Sequence, residues 1–169
     1  TDKMNRVKEY KHIYISHRGN ITGPNPEREN HPVYVFEAMA EGYDVEIDVW
    51  VTGDNVWLGH DRPSYSVNKK MLQIPGLWCH AKSDEALHFM IENKVPNYFW
   101  HQEDDVTLTS SGYIWTHSNN NIYTNKSIVC HMGRPTPQDM VNYKNTSGIC
   151  SDYIEVARQG GDYGEMLNE

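Results

Sequence analysis

Short apolar segments rich in Val, Ile, Tyr, Trp and Phe recur along the chain, and turn-forming residues separate them. This pattern predicts eight strands, at residues 12–16, 43–51, 56–59, 77–81, 97–100, 113–116, 127–130 and 148–152. Apolar residues at helical spacing predict three helices, at residues 33–41, 83–93 and 136–143. Strands alternate with helices over the first hundred residues, which is typical of βα units in a parallel sheet.

Histidines mark the ends of the predicted strands. Six of the nine histidines directly follow an apolar segment: His17, His60, His80, His101, His117 and His131. In parallel α/β folds the carboxyl ends of the strands meet on one face, where ligands bind. These side chains therefore predict one shared polar site, and Asp152, at the end of the last predicted strand, is a candidate for its rim.

The predicted strand 43–51 carries acidic residues within an apolar segment. Because side chains alternate along a strand, Asp44, Glu46 and Asp48 share one face and the valines and isoleucine between them share the other. Two interpretations stay open. The acids could face water while the apolar residues face the core, or Glu46 and Asp48 could hold a divalent cation, which prefers such hard oxygen ligands.

Length and charge restrict the classes of protein that the chain can represent. It has 169 residues and a net charge of −8, which predicts one domain and disfavours nucleic acid as a partner. We expect no transmembrane segment and, since no signal peptide is visible, a cytoplasmic location. The three cysteines form no C-x-x-C motif, so we expect buried thiols without a disulfide framework.

Several motifs in the first third of the chain carry a family resemblance. In order, they are His17-Arg18-Gly19, Glu29-Asn30, Glu37-Ala38, the segment from Gly42 to Val49, Thr52-Gly53-Asp54 and His60-Asp61. In order and spacing they resemble the glycerophosphodiester phosphodiesterase family and the wider phosphatidylinositol phospholipase C-like phosphodiesterases. Beyond residue 61 the match is fainter, at the segments 79–82 and 148–152.

The resemblance implies a (β/α)8 barrel with a divalent cation at the carboxyl ends of its strands. Such barrels usually need about 250 residues, so we expect a compact (β/α) barrel of TIM type, spanning residues 1–169 as a single domain, with several outer helices reduced to loops. Flanks exposed by the missing helices would allow copies of the chain to associate as a homo-oligomer.

The resemblance also assigns roles to residues. It implies that His17 and His60 act as the acid/base pair, that Arg18 grips the phosphate, and that Glu46 and Asp48 bind the metal. It further places Glu29 and Lys82 at the phosphate, and strand-end position adds Trp115, His101 and His117 to the substrate-binding set. The expected activity is metal-dependent hydrolysis of a small, glycerophosphodiester-like phosphodiester.

One position departs from the family pattern, because His80 stands where the family has a third metal-binding glutamate. The resemblance implies Mg²⁺ or Ca²⁺, whereas a histidine ligand shifts the preference toward Mn²⁺ or Zn²⁺. Two alternatives therefore stay open: a non-catalytic relative that binds a phosphate or a metal, and a histidine-rich zinc hydrolase of another type.

Overall fold

The computed structural model of the chain describes residues 11–117 and 122–167. Within these ranges the strands are β1 (Ile13–His17), β2 (Asp44–Thr52), β3 (Asn55–Leu58), β4 (Tyr65–Val67), β5 (Leu77–Ala81), β6 (Tyr98–Trp100), β7 (Val106–Leu108), β8 (Ile114–His117), β9 (Ser127–Cys130) and β10 (Gly148–Ser151). The helices are α1 (Pro32–Ala40), α2 (Asp84–Glu92), α3 (Pro137–Asn142) and α4 (Ile154–Leu167), with a 3₁₀ helix at Lys69–Gln73.

The strands form one mixed sheet. Seven of them are parallel and run in the order β6-β5-β2-β1-β10-β9-β8. Three short strands are antiparallel: β3 pairs with the second half of β2, β4 with β3, and β7 with β8. The parallel part brings the carboxyl ends of β1, β2 and β5 side by side, and this edge carries the candidate site.

The expected TIM-type barrel is wrong. The sheet is an open half-barrel, because in the described part of the chain β6 pairs only with β5 and no ladder joins it to β8. A parallel crossover between β6 and β8 needs a dozen or more residues, usually as a helix. The polar segment that follows β6 instead forms β7, which turns back antiparallel against β8. This strand takes up the edge of β8 that a closed barrel would use.

The predicted elements all appear, each within one residue of the expected bounds. Local signals explain the helix starts: the Ser83 side chain accepts a hydrogen bond from the Ala86 amide, and Thr136 forms a capping box with Asp139. The pattern missed β4, β7, the 3₁₀ helix and α4.

Two apolar layers lie on opposite faces of the parallel strands. Val45, Ile47 and Val49 of β2 belong to the layer beneath α1 and α2. The other face holds an aromatic cluster that includes Trp78, Phe99 and Trp115. Since side chains alternate along β2, Glu46 and Asp48 point to this second face, where they are 2% and 1% exposed. Burial therefore excludes the interpretation in which these two acids face water.

All three cysteines, Cys79, Cys130 and Cys150, are buried free thiols, as expected. Burial raises the pKa of each thiol far above its ordinary value. In the described residues no helix is long and apolar enough to cross a membrane.

Candidate functional site

Three neighbouring strands supply the centre of the site. His17 is the last residue of β1 and pairs in register with Glu46 of β2. Two residues further along β2, Asp48 pairs in register with His80 of β5. The register of the parallel ladder therefore places these four side chains together at the carboxyl end of the sheet, on the face opposite α1 and α2.

Glu46, Asp48 and His80 form a buried group that could hold a metal ion, with one ligand atom from each residue lying within 4.8 Å of the others. The Nδ1 atom of His80 lies 3.6 Å from Glu46 Oε2 and 3.3 Å from Asp48 Oδ1. The second oxygen of Glu46, Oε1, is buried without a hydrogen-bond partner. A buried carboxylate oxygen without a partner is costly unless a cation satisfies it, so this donor set fits a divalent ion.

The ring of His80 is fixed by contacts outside this group. Its Nε2 atom lies 2.8 Å from the backbone carbonyl oxygen of His101, and its ring stacks on Phe99 at 5.0 Å between centroids. Nε2 therefore donates to the carbonyl, which turns Nδ1 toward the carboxylates, as in metal-bound histidines. Although burial alone would lower the pKa of His80, the hydrogen bonds and charges of Asp48 and Glu46 raise it to about 9.

Asp48 is held by Asn30 from two directions. The Asn30 amide nitrogen donates to Asp48 Oδ2 at 2.9 Å, and the Asp48 backbone N–H donates to Asn30 Oδ1, also at 2.9 Å. Asn30 has a left-handed backbone, with φ at 67°, a conformation that asparagine tolerates better than most residues. Two hydrogen bonds from one buried side chain thus fix both the strand and the carboxylate at this position.

Arg18 lies at the edge of the acidic group. Its Nε atom contacts Asp48 Oδ2 at 3.1 Å, as an ion pair without hydrogen-bond alignment, and its NH1 atom donates to Glu29 Oε1 at 3.2 Å. Burial alone would raise the pKa of Asp48, but His80, Arg18 and Asn30 hold it well below its usual range. Asp48 is therefore ionised at neutral pH.

His17 is oriented by Asp152, which follows β10. Its Nδ1 atom lies 2.7 Å from Asp152 Oδ1, and the buried Asn20 donates to the same oxygen at 2.9 Å while it accepts from Tyr34 Oη at 2.9 Å. Burial lowers the pKa of His17, but Asp152 and the charge of Glu46 more than offset this and raise it. The other nitrogen, Nε2, lies 3.9 Å from Glu46 Oε1 and faces the candidate metal group.

A cleft of about 380 Å³ opens over this group. It brings together ten of the residues that the sequence proposed: His17, Arg18, Glu46, Asp48, His60, His80, Lys82, His101, Trp115 and His117. Glu29 does not line the cleft but pairs with Arg18. His131 lies outside it, with Nδ1 at 2.7 Å from Tyr143 Oη.

The lining residues differ in how they are held. The imidazole of His60 is 46% exposed and pairs with the exposed Asp61 at 2.8 Å, so it lies at the outer rim. Trp115 is buried and stacks on Phe99 at 4.6 Å, which makes it part of the cleft wall. His101 and His117 lie against each other, and burial together with the neighbouring His101 lowers the pKa of His117.

The sequence did not reveal the residues that hold the site in shape. Asn20 and Tyr34 carry no visible signal, because Tyr34 bonds to Asn20 and Asn20 bonds to Asp152 only once the chain is folded. Asn30 did stand in a family-like motif, beside Glu29, but its contact with Asp48 follows from a left-handed backbone that no periodicity predicts.

We compared the chain with models of known protein families, with curated proteins and with solved structures, and none of them matches.

Proposed function

We propose that the chain is a metal-dependent phosphodiesterase that hydrolyses a small, glycerophosphodiester-like substrate by histidine acid/base catalysis. One observation carries this proposal: the buried Glu46–Asp48–His80 group, in which one carboxylate oxygen has no hydrogen-bond partner, lies beside His17, whose Nδ1 atom is held by Asp152. The resemblance of the motifs around His17 and Glu46 to the phosphodiesterase family supports the same conclusion.

The Glu46–Asp48–His80 group suits a divalent cation that accepts both oxygen and nitrogen ligands. Two carboxylates supply hard oxygen ligands, and the His80 nitrogen favours Mn²⁺ or Zn²⁺ over Mg²⁺ or Ca²⁺. When bound, such a cation withdraws charge from the non-bridging oxygens of the phosphate. The carbonyl of His101 fixes the His80 ring so that Nδ1 serves as the ligand atom.

Arg18 and Lys82 bind the substrate's anionic group. Both line the cleft, and Arg18 is held at the edge of the acidic group by its contacts with Glu29 and Asp48. A guanidinium presents several donors in one plane, which matches two oxygens of a phosphate. These two side chains hold the phosphodiester next to the Glu46–Asp48–His80 group and oppose replacement of the bound phosphodiester by water.

His17 exchanges the proton of the reaction. Because Asp152 holds Nδ1, the free position for proton transfer is Nε2, which faces the cleft. In hydrolysis, water forms a bond to phosphorus, the P–O bond to one alcohol breaks, and that alkoxide takes up a proton. His17 and His60 divide the two proton transfers, and the products are a phosphomonoester and an alcohol.

The test is a panel of diesters measured against a panel of metals. Bis(4-nitrophenyl) phosphate and several glycerophosphodiesters are assayed with Mg²⁺, Ca²⁺, Mn²⁺ and Zn²⁺. Turnover that needs a metal and is lost in His17→Ala and Glu46→Gln supports the proposal. His88→Ala, an exposed histidine on α2, is the matched control and retains activity.

One observation favours a second candidate, a non-catalytic phosphate- or metal-binding protein. His60, the second member of the expected acid/base pair, is half exposed and pairs with a solvent-exposed carboxylate instead of lying buried beside His17. Metal binding without turnover of any diester by the folded wild-type protein would establish this candidate and overturn the hydrolase.

A further inference from the structure

His101 and His117 form a close pair of imidazoles across the opening of the sheet. His101 follows β6 and His117 ends β8, the two strands that the ladder leaves unjoined in the described residues. Their Nε2 atoms are 2.8 Å apart, and their ring centroids are 4.3 Å apart at an interplanar angle of 33°. Both side chains line the cleft.

A third electron-rich atom lies in the same place. The backbone carbonyl oxygen of Asp104 is 2.6 Å from His101 Nε2. A neutral imidazole has one N–H, so a proton on His101 Nε2 cannot serve both the carbonyl and the His117 nitrogen in line. If that proton serves the carbonyl, the N–H of His117 Nε2 is left with the longer contact to His101 Nδ1, at 3.4 Å. Hydrogen bonding therefore satisfies this group only through one long contact, whereas one cation would bind all three atoms.

We propose that His101 and His117, with the carbonyl of Asp104, bind a transition-metal cation of the Zn²⁺ type at a site separate from the Glu46–Asp48–His80 group. An imidazole binds a metal through its unprotonated ring nitrogen, and each of these two side chains presents its Nε2 atom to the other. Two nitrogens and one carbonyl oxygen suit Zn²⁺ or Cu²⁺ but not Mg²⁺ or Ca²⁺, which prefer oxygen ligands.

Only a small movement is needed for binding. Zn–N bonds of roughly 2.0–2.1 Å in a tetrahedron place two nitrogens about 3.3 Å apart. The two Nε2 atoms, now 2.8 Å apart, would separate by about half an ångström. The Asp104 carbonyl oxygen, now 2.6 Å from His101 Nε2, would move away by a similar distance. Both imidazoles are partly exposed, and His101 follows β6 while His117 ends β8, so rotation of the rings provides this shift outside the buried core.

One hydrogen bond joins the His101–His117 pair to the Glu46–Asp48–His80 group. The backbone carbonyl of His101 accepts from His80 Nε2 at 2.8 Å, while the His101 side chain belongs to the pair. One residue thus orients a ligand of the first group and supplies a ligand of the second. The chain would hold two cations of different chemistry within one cleft.

Zinc stoichiometry tests this inference. The metal-free protein is titrated with Zn²⁺ against a chromophoric chelator, and wild type is expected to bind two equivalents. His117→Gln and His101→Gln are each expected to bind one, while His88→Gln, an exposed histidine on α2, still binds two. Circular dichroism shows which variants remain folded. If one of the two variants does not fold, the other one tests the inference.

A second measurement identifies the ligands. In Glu46→Gln protein, which lacks a ligand of the other site, electron paramagnetic resonance of one added equivalent of Cu²⁺ is expected to show coupling to two imidazole nitrogens, and to lose it when His117→Gln is added. Unchanged zinc stoichiometry and an unchanged copper spectrum in both variants would overturn the inference. Glu46→Gln tests the first group independently, since it removes the other equivalent of zinc.

Discussion

Asn30 offers the sharpest test of how the candidate site is held together. Its amide supplies a hydrogen bond to an ionised carboxylate and accepts another from a buried backbone N–H, both at 2.9 Å. A hydrogen bond to a charged group contributes about 1.5–3 kcal/mol, and an orphaned buried N–H costs about 1–3 kcal/mol. Asn30→Gly, which permits the left-handed backbone, should therefore lose about 3–5 kcal/mol of unfolding free energy.

Asn30→Ala separates the backbone contribution from the side-chain contribution. It removes the same two hydrogen bonds and also places a β-carbon at φ 67°, so it should be about 1 kcal/mol less stable than Asn30→Gly. Urea unfolding in the presence of a chelator measures both variants, and the melting temperature should fall by roughly 10 °C or more. A loss below about 1 kcal/mol in Asn30→Gly would refute this reasoning, because water would then replace the amide.

Three further predictions concern the cation, the pH and the sheet. A divalent cation at 100 times its dissociation constant should stabilise wild type by about 2.7 kcal/mol and raise its melting temperature by about 5–10 °C; equal stabilisation of Glu46→Gln would contradict the assigned ligand. In metal-free protein, the pKa of His80 is raised to about 9 from its ordinary value of 6.5, so the folded chain binds more protons than the unfolded chain and its stability should fall as pH rises from about 6.5 through 9. Denaturant unfolding at several pH values should show a shallower fall in His80→Gln, and identical slopes would argue against this titration. Gly148→Ala should cost about 1–3 kcal/mol in the same unfolding assay, because its β-carbon would meet the Ile13 carbonyl oxygen on β1, whereas Gly133→Ala, with open space around it, should leave stability unchanged.

The sequence predicted local elements well because their signals are local. Alternation along residues 43–51 and the caps at Ser83 and Thr136 lie within a few residues of the structure that they specify. Helix α4 was missed because Gly160 and Gly161 are poor helix formers. The fold requires them, since a β-carbon on Gly161 would collide with the Tyr14 hydroxyl and one on Gly160 would crowd Met140.

Long-range pairing set the limit of the sequence prediction. Whether β6 pairs with β8 depends on how the segment between them folds. That segment has the composition of a polar loop, yet it forms β7, which pairs with β8. The candidate site shows the same division. Glu46, Asp48 and His80 follow from strand position and motif, whereas the supporting contacts of Asn20, Tyr34 and Asn30 arise only when β1, β2, β10 and α1 come together.

The reactivity of the three buried cysteines reports how often the sheet opens. A thiolate is the form that reacts with an alkylating reagent, and burial both hides these thiols and suppresses their ionisation. Labelling therefore proceeds only when strands separate. Cys79 lies on β5 between β2 and β6, and Cys150 lies on β10 between β1 and β9. The rates of modification at these two positions, followed by mass spectrometry, would time the opening of the two halves of the sheet separately, without any engineered probe.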